Sequence, residues 1–70
     1  MEPFDDEVKV TSQEQRILEL MAAGKTRNQM AEDLCLTAQT IKWYRMRLRA
    51  KFHAATSSEL IHKAGAHGLL

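Results

Sequence analysis

The chain has one cysteine, one proline and three glycines in 70 residues, and each scarcity removes a class of protein. A lone Cys35 excludes an intramolecular disulfide framework and is too little for a cysteine-based zinc site. The longest uninterrupted apolar run is Leu20-Met21-Ala22-Ala23, far short of a membrane span. The opening Met1-Glu2-Pro3-Phe4-Asp5-Asp6-Glu7 is acidic and lacks the basic and apolar stretches of a signal peptide, so a reducing cytoplasm is the expected setting. There is no internal repeat and no glycine-rich phosphate loop. His53, His62 and His67 are scattered, and the spacing of the last two does not align them on one helix face, so neither a metal site nor another cofactor is expected. No Ser/His/Asp arrangement stands out, and catalysis is rejected. A chain this short makes one small domain that buries only about 60% of its unfolded surface, which leaves the outside as the working part.

What the chain does have is an uneven charge distribution. Ten Lys and Arg against nine Asp and Glu give a net charge of only +1. Residues 1–19 nevertheless hold six acids against Lys9 and Arg16. Residues 25–51 hold seven bases against Glu32 and Asp33, and from 42 to 51 every charge is positive. Such asymmetry is a stronger partner signal than the total.

Residues 1–9 read as a flexible lead-in or the end of a linker, with the domain over 10–70. Four capping signals then divide the chain into four helices joined by loops of two to four residues. Thr11 with Glu14 is a capping box, followed by Ile17, Leu18, Leu20 and Met21 on one face and closed by Gly24. Thr26 with Gln29 opens a short second helix bearing Met30, Ala31 and Leu34. Thr37 begins the third, with Ile41, Leu48 and Phe52 in one narrow stripe. Thr56 with Glu59 opens the last, with Leu60, Ile61 and Ala64 inward. The fold class is therefore all-α, a compact four-helix domain.

Helices two and three meet at Leu34-Cys35-Leu36-Thr37, and from Arg27 the stretch reads as a helix-turn-helix. Met30 is apolar at its fourth place and Ala31 is small at the fifth, where the helices approach most closely. Leu34, Leu36 and Ile41 are apolar at the eighth, tenth and fifteenth; Cys35 takes the ninth place, where glycine is common, as a partly buried turn residue. With Ile41 inward and about 100° per residue, Gln39, Trp43, Met46 and Ala50 project outward. Lys42 and Arg47 flank that stripe; Arg45 and Arg49 line one shoulder, and Tyr44 and Lys51 the other. An exposed tryptophan among five bases suits a DNA major groove better than a packing face.

Val10 through Leu18, Gly24, Ala31-Glu32-Asp33-Leu34, Thr40-Ile41-Lys42, Lys51-Phe52 and Glu59-Leu60-Ile61 together resemble the LuxR-type DNA-binding domain. That is the effector domain of NarL/FixJ response regulators and of quorum-sensing regulators, also found in small stand-alone regulators of the GerE kind. The resemblance spans about residues 9–66. It implies a bacterial transcriptional regulator whose third helix enters the major groove and which binds paired half-sites of double-stranded DNA as a dimer. On that reading Gln39, Lys42, Trp43 and Met46 face base edges, and Arg27, Thr37, Arg47 and Thr11 meet phosphates. The fourth helix pairs with its copy through Ser58, His62, Gly65 and Ala66, weakly in solution and mainly on DNA.

Several positions depart from the family pattern. Arg27-Asn28-Gln29 replaces a usual Asn-Lys-Glu, Tyr44 replaces a histidine, and Met46 stands where a polar or basic residue is frequent. His53 replaces a glycine, which predicts a left-handed backbone at that residue. Lys51 has a possible structural role in pairing with Glu14. Alternative readings are a sigma-factor-like promoter-reading module and a helical protein-interaction module. RNA polymerase and an N-terminal sensing or receiver domain are further candidate partners, and no membrane is expected.

Overall fold

The computed structural model describes residues 9–70, so all but Lys9 of the lead-in lies outside the described residues. Four helices follow: α1 (Ser12–Ala22), α2 (Arg27–Leu34), α3 (Ala38–Lys51) and α4 (Ser57–Ala66), with no strand among the described residues. The all-α, four-helix architecture expected from the sequence is the one observed.

Each helix starts at a threonine whose hydroxyl accepts a hydrogen bond from the backbone N–H three residues on: Thr11 from Glu14, Thr26 from Gln29, Thr37 from Thr40 and Thr56 from Glu59. These bonds satisfy N–H groups that the helix itself leaves without a partner. In α1 and α2 the box is reciprocal, since Glu14 and Gln29 accept from the Thr11 and Thr26 N–H groups at 2.9 and 2.8 Å. At α4 the expected box is displaced. Glu59 accepts from the Ala55 N–H at 2.9 Å instead of from Thr56. Thr56 also has φ −134°, against −76° to −82° at the other three caps.

All four helices also end alike. A residue with positive φ follows the last turn: Gly24 at 85°, Cys35 at 58°, His53 at 55° and Gly68 at 79°. The next N–H reaches back to a carbonyl five residues earlier: Lys25 to Leu20, Leu36 to Ala31, Ala54 to Arg49 and Leu69 to Ala64. This is the Schellman closure. The left-handed backbone expected at His53 is thus present. Cys35, expected to be partly buried, is exposed, because the left-handed turn faces the side chain outward while Leu36 packs on the core.

The core consists of Ile17, Leu18 and Met21 from α1, Met30 and Ala31 from α2, Ile41, Leu48 and Phe52 along and after α3, and Leu60 and Ala64 from α4. Each large member stabilises the fold by roughly 1.5–3 kcal/mol through burial. Like α1, α3 packs against all three other helices, and it does so most extensively of the four, which makes it the central strut of the domain. Its link to α4 is longer than expected, five residues over 52–56, the extra length following the His53 turn.

Candidate nucleic-acid interface

The outward side of α3 follows from the residues that anchor it. Ile41 and Leu48 are fully buried two turns apart and fix the rotation of the helix. Gln39, Lys42, Trp43, Met46, Arg47 and Ala50 are consequently exposed. Trp43 keeps 50% of its surface and Met46 52%, and these are the two large apolar side chains that the helix presents to solvent.

Trp43 is held by its neighbours. The Arg47 guanidinium carbon lies 4.7 Å from the indole centroid, a cation–π contact. The Tyr44 ring meets it edge to face at 5.1 Å and 76°. A tryptophan with such neighbours loses less side-chain freedom on binding than one standing alone in water. Lys42 and Met46, with the half-buried Arg45 and Arg49, line a shallow depression of about 220 Å³. Arg45 is also tied to the start of α4, where its Nη2 donates to Ser57 Oγ at 2.8 Å. No sequence pattern announces that bond, since the two residues lie on different helices. Among the described residues, Lys42, Arg45, Arg47 and Arg49 form no ion pair with an acid.

The expected phosphate contacts on other elements and at the start of α3 are exposed as well. Thr37 is exposed and caps α3, its hydroxyl 2.9 Å from that of Thr40. Arg27 is exposed at the first turn of α2. Thr11 lies toward the opposite end of α3, through a buried link. Glu14 Oε1 accepts both from the Thr11 N–H at 2.9 Å and from Lys51 Nζ, on the last turn of α3, at 2.8 Å. Lys51 also donates to the Lys9 carbonyl at 3.2 Å, which joins the chain entering α1 to the end of α3. Thr11 and Thr37 therefore stand toward the two ends of a helix of about 20 Å. Burial raises the Glu14 pKa, but the Lys51 and Thr11 hydrogen bonds and the charges of Lys51 and Arg47 outweigh it and hold the carboxyl below its ordinary value. Lys51, one of the five bases of α3, thus works inside the domain, as the sequence suggested.

The residues assigned to pairing, Ser58, His62, Gly65 and Ala66, are all exposed on α4. A Cβ built on Gly65 meets nothing within 4 Å in this chain. His67 lies instead edge to face against Phe52 at 5.5 Å and closes the end of the core. Among the described residues, no group of three His, Cys, Asp or Glu side chains is arranged for a metal, and no helix is long and apolar enough to cross a membrane.

Residues 8–64 match the family described as bacterial regulatory proteins, luxR family. The transcriptional regulatory protein MctR of Rhizobium johnstonii is 34% identical over 61 residues, covering 87% of this chain and 28% of MctR. Among solved structures, the Vibrio cholerae VqmA dimer in the absence of target DNA superposes with a TM-score of 0.86 at 31% identity, over 91% of this chain and 29% of VqmA. A VqmA–ligand–DNA complex gives 0.83 at 28% identity, over 96% and 29%. The chain spans less than a third of the length of each of these relatives.

Proposed function

The chain belongs to the luxR family of bacterial regulatory proteins and forms its helix-turn-helix DNA-binding domain; from that premise we propose that α3 reads the DNA major groove and that two copies bind paired half-sites. Regulators with this domain are DNA-binding transcription factors and not enzymes. The observation that carries the proposal is the outward face of α3, where exposed Trp43 and Met46 lie among bases. In this arrangement Gln39, Lys42, Trp43 and Met46 meet base edges. Arg47 and Arg27 meet phosphates, and the Thr37 and Thr11 hydroxyls do so toward either end of the helix. Phosphate contacts set position and base contacts set sequence. The two classes of residue separate in experiment. Lys42→Ala costs roughly 1–3 kcal/mol and relaxes selectivity. Arg27→Ala, at a position away from the Trp43 ring, weakens binding to all sequences alike and lowers the salt slope by about one.

Pairing runs through α4, where Ser58, Gly65 and Ala66 are small and let a second copy of the helix approach. A two-fold pair sets the two α3 helices about 34 Å apart, one DNA turn, which matches inverted half-sites. The surface offered by one ten-residue helix is small, so the dimer is weak in solution and forms mainly on DNA. The VqmA dimer and the VqmA–DNA complex support this assembly by likeness. Combining Ser58→Arg with Ala66→Arg tests it by binding to one half-site and to two. Loss confined to the paired site is expected; unchanged affinity for both sites rules out α4 as the interface. Salt-insensitive binding to a protein, with no duplex selected from a randomised pool, overturns the DNA reading itself.

A further inference from the structure

We propose that Trp43 and Met46 form a thymine-methyl reader on α3, so that the preferred half-site carries a thymine whose C5-methyl group seats on this apolar pair. The inference rests on the proposal that α3 enters the major groove, and it names what is read there. Base edges in that groove are lined with hydrogen-bond donors and acceptors, whereas Trp43 and Met46, apart from the single indole N–H, offer apolar surface. The distinctive apolar feature is the thymine methyl. About half of each side chain is exposed, and their three-residue spacing places them on one face of the helix.

The surroundings favour DNA as the occupant. Lys42 and Arg47 flank the pair on either side, and Arg45 and Arg49 share a depression with Lys42 and Met46, so positive charge complementary to phosphates surrounds it. Trp43 is also held in position. Arg47 lies over the indole and Tyr44 meets it edge to face, while Met46 helps line the depression shared with Lys42, Arg45 and Arg49. A fixed ring can discriminate a single methyl group, because the contact needs little further ordering. Met46, unbranched and adaptable, closes around what the ring leaves open.

The test uses the full chain and a duplex selected from a randomised pool. Each thymine of the site is replaced in turn by deoxyuridine, which keeps every hydrogen-bonding group and removes the methyl. Affinity is expected to fall about fourfold at one or two positions per half-site, the effect of one buried methyl. That thymine-to-uracil ratio should collapse towards one in Trp43→Ala or Met46→Ala, with helical content checked by circular dichroism. Lys42→Ala should bind more weakly and keep the ratio. Equal binding of the thymine and uracil duplexes by the parent protein overturns the methyl reader and leaves DNA binding standing. A ratio that survives both apolar substitutions also overturns it. Absence of salt-dependent binding to any duplex overturns both proposals together.

Discussion

Removal of Lys51 should weaken the link that Glu14 makes between stability and pH. The Glu14 side chain is 3% exposed, and its Oε1 accepts from Lys51 Nζ at 2.8 Å and from the Thr11 N–H at 2.9 Å. In Lys51→Met the carboxylate keeps the Thr11 bond and loses its cation. Breaking a dry ion pair from one side costs about 3–5 kcal/mol. Here the Lys51 side chain is 28% exposed, so water already screens part of the pair, and roughly 2 kcal/mol is the expected loss. For a 70-residue domain that is a large share of the total stability, about 5 kcal/mol.

The size of the pH effect identifies the cause. In the parent protein the folded Glu14 pKa is lowered, so the contribution is present above the ordinary carboxyl value and is lost as pH falls below about 4.5. In Lys51→Met only the Thr11 bond and the Arg47 charge still oppose burial, so the folded pKa rises from its parent value. The stability that Glu14 loses on acidification is correspondingly smaller in the variant than in the parent. Glu59 also has a lowered pKa, from its hydrogen bonds to Ala55 and Lys63, and it is the same in both proteins, so the difference between them isolates Glu14. Glu14→Gln combined with Lys51→Met should recover much of the loss, since a neutral amide needs no cation and still accepts from the Thr11 N–H. Urea unfolding followed by circular dichroism at several pH values measures all three. Equal midpoints for the parent and Lys51→Met, or the same acid dependence in both, would refute this account of the pair.

Three further outcomes follow from the helix ends and the core. His53→Gly should stabilise the domain by roughly 0.5–1 kcal/mol, because φ 55° strains a residue with a Cβ; a lower urea midpoint would show that the His53 side chain compensates. Gly65→Ala has room in the monomer and should raise thermal stability by about 1 kcal/mol; if it also weakens binding to paired sites but not to a half-site, α4 packs closely against its copy. Leu48→Ala removes a fully buried side chain from the middle of α3 and should cost about 2–5 kcal/mol, enough to leave much of the chain unfolded at 37 °C; a cooperative, parent-like melt would contradict α3 as the central strut.

The fold was legible because its instructions are local. Four threonine caps, the Gly24 stop and the apolar stripes of α1, α3 and α4 each act within a few residues, and a short chain with short loops leaves few ways to assemble them. The left-handed turn at His53 was legible for the same reason, through the glycine that the resemblance places there. What was missed depends on geometry between elements. The shift of Glu59 from Thr56 to Ala55 accompanies a different backbone torsion at Thr56, and the Arg45–Ser57 bond depends on where α4 sets off. Exposure of Cys35 follows from the handedness of a turn, which composition does not reveal. The outward face of α3 was legible because Ile41 and Leu48 fix its rotation, but the contacts that hold Trp43 were not. Arg47 and Tyr44 lie four and one residues beyond Trp43, spacings that permit a clamp without requiring one. On the proposed reading this clamp bears most directly on sequence recognition, because Arg47 and Tyr44 hold the indole while Lys42, on the other flank, forms no ion pair among the described residues. A change at Trp43 should, on that reading, alter which sequence is bound more than how strongly DNA in general is held.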